Sequence, residues 1–166
     1  MQLSIRAVEP HDAEAVAGIL NAVIDEGGYT VFDTPFTTQD EQRYIESFPA
    51  RGVFLLAVRQ PGQQIVGFQS LEPFAAYTHA FDHVGVMGTY VAKGHRRQGV
   101  ATALFAATFE AARRRGYEKI FTFVRADNPA ALATYVKHGF RVIGTAGRQA
   151  KIRGEYVDEI LIEKFL

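Results

Sequence analysis

The chain has 166 residues, 48% of them hydrophobic, enough for one domain that buries roughly two-thirds of its unfolded surface. Its 18 Lys and Arg balance 18 Asp and Glu, so no net field draws it to nucleic acid or an acidic membrane. It has no cysteine, which excludes disulfides, thiolate metal sites and a cysteine nucleophile.

Residues 3–7 alternate as Leu3-Ser-Ile5-Arg-Ala7 and predict a first strand. Met1 leads straight into it with no basic n-region or apolar h-region, and no apolar run reaches the ~18 residues of a membrane helix. No signal peptide is expected, and the expected compartment is the cytoplasm. Pro10-His11-Asp12 open a helix with Asp12 as N-cap or first-turn acid. Val16, Ile19, Leu20, Val23 and Ile24 give it a core face, and Gly27-Gly28 stop it. Residues 29–37 form an aromatic-rich loop, in which Tyr29, Phe32 and Phe36 either cover the core or wall a binding pocket. Thr38-Gln-Asp-Glu41 fits a capping box and starts a short helix to about Phe48.

Residues 53–59 predict a strand and 60–63 a turn. Residues 65–71 predict the next strand, with Gly67 marking a bulge or a close approach. After a loop over 73–81, residues 84–92 return as a strand. A turn over 93–98 leads into a helix from about Gln98 to Arg115, followed by a strand over 117–124. The triplet Arg113-Arg114-Arg115 reads as a solvated helix end rather than an RNA contact. Asn128-Pro129 open the last helix and Gly139 ends it. Residues 140–147 and 156–165 then form two antiparallel strands, joined by the polar stretch 148–155. This order is α+β with a mixed sheet, not the alternation of a doubly wound fold. The crossover helix makes 84–92 and 117–124 a parallel pair. No repeat, linker or low-complexity run divides the chain, so residues 1–166 are expected to form a single domain.

The chemistry centres on residues 89–115. Strand, basic turn and long helix follow one another, and a helix start offers unpaired N–H groups and the positive end of the macrodipole to an anion. Gly99 lets a ligand approach the backbone, Ala101 is nearly as small, and Arg96 and Arg97 have forks suited to phosphate oxygens. The stretch reads as a pyrophosphate cradle or, on the turn alone, as an ordinary strand–loop–helix connection. Neither G-x-x-x-x-G-K-[ST] nor G-x-G-x-x-G is present.

Arg96-Arg97-Gln98-Gly99-Val100-Ala101 matches [QR]-x-x-G-x-[GA], and Asn128 to Phe140 follows the pattern N-x-x-A-x-x-x-Y-x-x-x-G-F. On these two segments the whole chain resembles the GNAT superfamily of acyl-CoA-dependent N-acetyltransferases. Within it the chain is most similar to the phosphinothricin and methionine sulfoximine acetyltransferase group. The features are Ile5-Arg6, Asn21, Gly67 to Phe74, Tyr77-Thr-His79 and the segment from Lys151 to Asp158. The resemblance implies a mostly antiparallel central sheet flanked by helices, with acetyl-CoA as co-substrate and no metal. It implies acetyl-CoA contacts from Tyr90, Val91, Arg96, Arg97, Gln98, Gly99, Val100, Ala101, Thr102 and Asn128. It favours Tyr29, Phe32 and Phe36 as walls of the acceptor site, with His79 beside them, and leads us to expect a homodimer through the late strands.

Acetyl transfer from a thioester to an amine needs a neutral amine, a donor for the oxyanion and a proton for the departing thiolate. The resemblance implies a backbone N–H near Tyr90 or Val91 for the oxyanion and Tyr135 as the acid, although Tyr135 beside Leu132 also suits a plain core position. Asn128 suits either the pantetheine arm or the N-cap of its helix, or both. Phosphinothricin-type enzymes carry a glutamate base where this chain has Val86. Glu72, Asp82, His83 and His79 are the alternatives, with Glu72 first and a water-relayed base also open. The histidines show no metal-ligand spacing, and no G-x-S-x-G elbow is present. The expected activity is acetyl transfer from acetyl-CoA to a small primary amine, such as an amino acid or an analogue like methionine sulfoximine or phosphinothricin. The alternatives are a protein or peptide N-acetyltransferase and a non-catalytic acyl-CoA sensor.

Overall fold

The computed structural model describes residues 2–166. The elements run β1 (Gln2–Ala7), α1 (Ala13–Glu26), α2 (Thr38–Glu46), β2 (Val53–Gln60), β3 (Gln64–Pro73), β4 (Val84–Val91), α3 (Val100–Arg114), β5 (Lys119–Arg125), α4 (Pro129–Lys137), β6 (Arg141–Ile152) and β7 (Glu155–Phe165). The strands join in one sheet in the order β1-β2-β3-β4-β5-β7-β6. Every neighbouring pair is antiparallel except β4 and β5, which are parallel as the crossover helix requires.

Helices cover both faces of the sheet, so the central strands are apolar on both sides. Val16, Leu20 and Ile24 of α1 pack with Ile45 of α2 on Phe54, Leu56, Val58 and Phe68. On the opposite face Phe105, Phe109 and Ala112 of α3 pack with Tyr135 of α4 on Leu71, Met87, Ile120 and Ile162. The first turn of α3 sits on Ala57 and Val66 through Val100 and Leu104. A β-bulge between Ala57 and Val58 lies opposite this contact. Gly67 makes the contact possible, because a Cβ there would lie 2.9 Å from Tyr90 O and 3.0 Å from Val100 Cγ1. The sequence signal at Gly67 was therefore both a bulge and a close approach, and it sets how near the start of α3 comes to the sheet.

Two expectations are corrected. The capping box of α2 starts one residue earlier: Thr37 Oγ1 accepts from Asp40 N, and Asp40 Oδ2 accepts from Thr37 N. Both Thr37 and Thr38 have an acid three positions on, and the box forms at Thr37 because Glu41 is turned into the interior. The stretch 148–155 is not a connection. Strand β6 runs on to Ile152, and the turn is only Arg153-Gly154, both with positive φ as a tight hairpin turn requires. The irregularity that hides this strand lies between Ala146 and Ala150, where Arg148 has φ 52° and its N–H donates to Asp158 Oδ1 at 2.7 Å.

Replacing Gly67 by alanine is expected to cost about 1–3 kcal/mol in urea unfolding, since α3 must move off the sheet to admit one methyl. A cost below about 0.5 kcal/mol would show that the contact is not tight.

Candidate active site

Strands β4 and β5 pair only from Val84 to Val86 and from Lys119 to Phe121, and beyond that they part. At the apex Thr122 Oγ1 donates to Met87 O at 2.7 Å, replacing a ladder bond. The ladder with β3 decides which groups of β4 face the gap. Phe74 N donates to Val84 O and Ala92 N to Val66 O. The alternation of an antiparallel ladder then commits the backbone of Val86, Gly88 and Tyr90 to β3 and turns that of Met87, Thr89 and Val91 toward β5. Of the two residues expected near the oxyanion, Tyr90 spends its N–H on Phe68, and Val91 N–H faces the gap. Val91 O accepts from Arg96 Nε at 3.2 Å.

The gap opens into a cavity of about 990 Å³ whose lining comes from both faces of the sheet. On the α3/α4 side Gln69 Nε2 donates to Thr89 Oγ1 at 2.8 Å, and Thr89 Oγ1 lies 3.0 Å from Tyr135 Oη. Tyr135 is buried edge-on to Phe105 and Phe140. Burial pushes its phenol well above the ordinary tyrosine range, so it stays protonated. When Thr89 donates its single proton to Tyr135, the phenol proton is free for the cavity.

The α1/α2 side is aromatic and acidic. Tyr29, Phe32 and Phe36 all line it. Asn21 fastens this loop by accepting from Phe36 N at 2.9 Å and donating to Phe36 O at 2.8 Å. Tyr90 stacks on Phe68 within the same wall. Glu72 lines this side and stands directly across from Val86. Its Oε1 accepts from Tyr44 Oη at 2.5 Å.

Two further carboxylates, Glu41 of α2 and Glu159 of β7, are buried in the same wall. Burial raises both above the usual carboxylate range, with Arg125 opposing the rise at Glu159. Neither was singled out from the sequence. In the sequence Glu41 reads as part of a capping box, and Glu159 offers only the weak signal of an acid inside an apolar strand. His79 is not brought to the cavity: it is fully exposed on a 3-10 turn, with Nδ1 2.9 Å from Asp82. Asp82 and His83 are not in the lining either.

At the other end of the gap, α3 starts at Val100 behind Gly99, whose φ of 83° suits glycine. Ala103 N is the first to bond back, to Gly99 O, so the N–H groups of Val100, Ala101 and Thr102 have no partner within the helix. Among the described residues no side chain caps them, and a Cβ on Gly99 would meet nothing within 4 Å. Thr102 Oγ1 lies 3.3 Å from His138 Nε2. Gln98 Nε2 donates to Gly94 O at 2.9 Å. Arg97 is exposed beside this helix start. Arg96 departs from expectation: Nη1 and Nη2 donate to Glu26 at 3.0 and 2.7 Å, Nε goes to Val91 O, and the fork lies over the Tyr29 ring. Its donors tie the turn to the end of α1 instead of projecting toward a phosphate. Asn128 Oδ1 caps α4 by accepting from Ala131 N at 3.2 Å, and among the described residues its Nδ2 has no partner.

Residues 19–140 match the acetyltransferase (GNAT) family. The chain is 24% identical over 165 residues to a phosphinothricin N-acetyltransferase of Streptomyces coelicolor, a match covering 98% of this chain and 96% of that protein. It superposes on the ribosomal-protein-alanine N-acetyltransferase of Brucella melitensis with TM-score 0.89 and 26% identity, over 98% of this chain and 99% of that one. A phosphinothricin acetyltransferase of Sinorhizobium meliloti, solved with acetyl-CoA, shares the fold at TM-score 0.90 and 16% identity, over 100% of this chain and 89% of that one. With the family match covering most of the chain and the two motifs lying at the gap and at the open helix start, the protein belongs to the acetyltransferase (GNAT) family and is an acetyl-CoA-dependent N-acetyltransferase.

Proposed function

We propose that residues 1–166 act as one domain that transfers the acetyl group of acetyl-CoA directly to the primary amine of a small molecule. The observation that carries this reading is the cavity through the sheet, with a protonated phenol on one side and carboxylates on the other. The start of α3, with the N–H groups of Gly99, Val100, Ala101 and Thr102, suits the pyrophosphate, and Arg97 adds the charge that Arg96 cannot. Asn128 Nδ2 suits an amide of the pantetheine arm. Val91 N–H faces the place where charge develops on the thioester oxygen.

In the proposed transfer Glu72 takes a proton from the entering ammonium. Its place beside Val86, where phosphinothricin-type enzymes carry their glutamate, supports this. The amine nitrogen bonds to the acetyl carbon, the C–S bond breaks, and Tyr135 gives its proton to the thiolate. The phenol is then restored by a proton leaving the new amide nitrogen. Methionine sulfoximine and phosphinothricin belong among the first acceptors to test, given the similarity to phosphinothricin N-acetyltransferase. A second reading, transfer to a peptide N-terminus, is favoured by the similarity to the ribosomal-protein-alanine N-acetyltransferase. We also propose a homodimer through the edge strand β6, where Val142 and Ile143 are exposed.

Thiol release from acetyl-CoA is expected with small amines. Release only with peptides would favour the second reading. Tyr135→Phe is expected to lower kcat about 10²-fold with KM for acetyl-CoA nearly unchanged, and an unchanged kcat would remove Tyr135 from the proton path. Arg97→Ala is expected to weaken acetyl-CoA binding about tenfold in calorimetry, without loss of stability. Arg96→Ala should instead lower the melting temperature, and the reverse pattern would contradict the division between the two arginines. Sedimentation is expected to give twice the 18.4 kDa chain mass, and a monomer at micromolar concentration would count against the dimer.

A further inference from the structure

Resting on the small-amine reading, we propose that the acceptor is a cationic amine with an apolar body and no anionic group, selected by the buried carboxylates of Glu41 and Glu159. Each of these residues is only 4% exposed, and each lines the acceptor side of the cavity. They come from separate elements, α2 and β7, and converge on the space enclosed by the 29–37 loop. Among the described residues no hydrogen bond or ion pair reaches either carboxylate. An unpartnered carboxylate in a buried site is costly, and proteins normally pair such groups. A cation entering the cavity supplies the missing partner.

Of the cations in the wall, Arg125 acts on Glu159 only through space, and its hydrogen bonds, like those of Arg43, go elsewhere. Arg125 makes a two-pronged pair with Asp127 at 2.8 and 2.7 Å and donates to Thr30 O at 2.9 Å. Arg43 is paired with Asp40. Asp33 and Glu72 add further negative charge to the lining. An acceptor bearing a carboxylate or phosphinate would bring a second anion into this acidic space, where, among the described residues, both lining guanidiniums are hydrogen-bonded to other carboxylates, and like charges at low dielectric repel strongly. The rest of the wall is aromatic, from Tyr29, Phe32, Tyr44 and Phe68. Such a wall accepts an alkyl or aryl body and favours a nearby ammonium through the ring faces. On this basis the amino-acid analogues become the poorer acceptors, and the amines that lack their carboxylate become the better ones.

Pairs that differ only in the carboxylate test this: lysine against 1,5-diaminopentane, and phenylalanine against 2-phenylethylamine, with phosphinothricin alongside, each read by thiol release from acetyl-CoA. The expected result is a kcat/KM at least tenfold higher for the amine of each pair. Glu41→Gln and Glu159→Gln, made singly, should lower kcat/KM for the amines and shrink that ratio while the calorimetric Kd for acetyl-CoA stays unchanged. Equal or faster turnover of the amino acids or of phosphinothricin would overturn the acceptor class and leave the small-amine reading standing. A ratio unaltered in both folded variants would overturn the role of the two carboxylates. If a variant fails to fold, the wild-type ratio decides the acceptor class. Acetyl-CoA binding with release from no small amine would overturn the small-amine reading and this inference with it.

Discussion

The structure depends on the parting of β4 and β5 after three paired residues. A sheet interior normally leaves no backbone group unpaired, because each orphaned N–H or C=O has a desolvation cost. Here the cost is met locally. Thr122 caps Met87 O at the apex, Arg96 caps Val91 O at the open end, and the remaining groups face a cavity. The break divides the sheet into two wings and makes a passage between its faces. The open start of α3 lies at one end of that passage, next to β3 and β4, because Gly67 lets Val100 come within contact distance of the sheet.

The two faces then acquire different chemistry from strand parity alone. Gln69 and Thr89, directly paired, point to the α3/α4 side and form a polar chain to Tyr135. Glu72 and Tyr90 point to the other side, where α2 and β7 add Glu41 and Glu159. The Tyr135 phenol and the carboxylates are thus separated by the thickness of one sheet and meet at the gap.

The arginines show how position overrides residue type. Arg96 and Arg97 are adjacent and chemically alike, yet one is locked to Glu26 and Val91 while the other stands free at the helix start. Arg125 likewise lines the cavity with its fork already engaged by Asp127. Their presence in the sequence therefore overstated the positive charge available to a ligand.

The sequence by itself determined the element order, the parallel pair, and the placement of Asn128 at the start of α4 and of Tyr135 within it. These follow from local rules: periodicity, turn residues, and motif spacing within one or two adjoining elements. It put the start of α3 at about Gln98, two residues before Val100, because the left-handed turn at Gly99 that delays the helix has no periodic signal. It did not reveal the full length of β6, because a bulge at 147–149 broke the alternation that identifies a strand. It left open which threonine caps α2, since two adjacent threonines satisfy the same rule and only the burial of Glu41 separates them. His79 looked close to the site along the chain, but a surface turn carries it away. The convergence of Glu41, Glu72 and Glu159, and the loss of Arg96 to Glu26, belong to tertiary structure alone. They join residues 31, 87 and 70 positions apart, and no local pattern records which distant charges the folded sheet brings together.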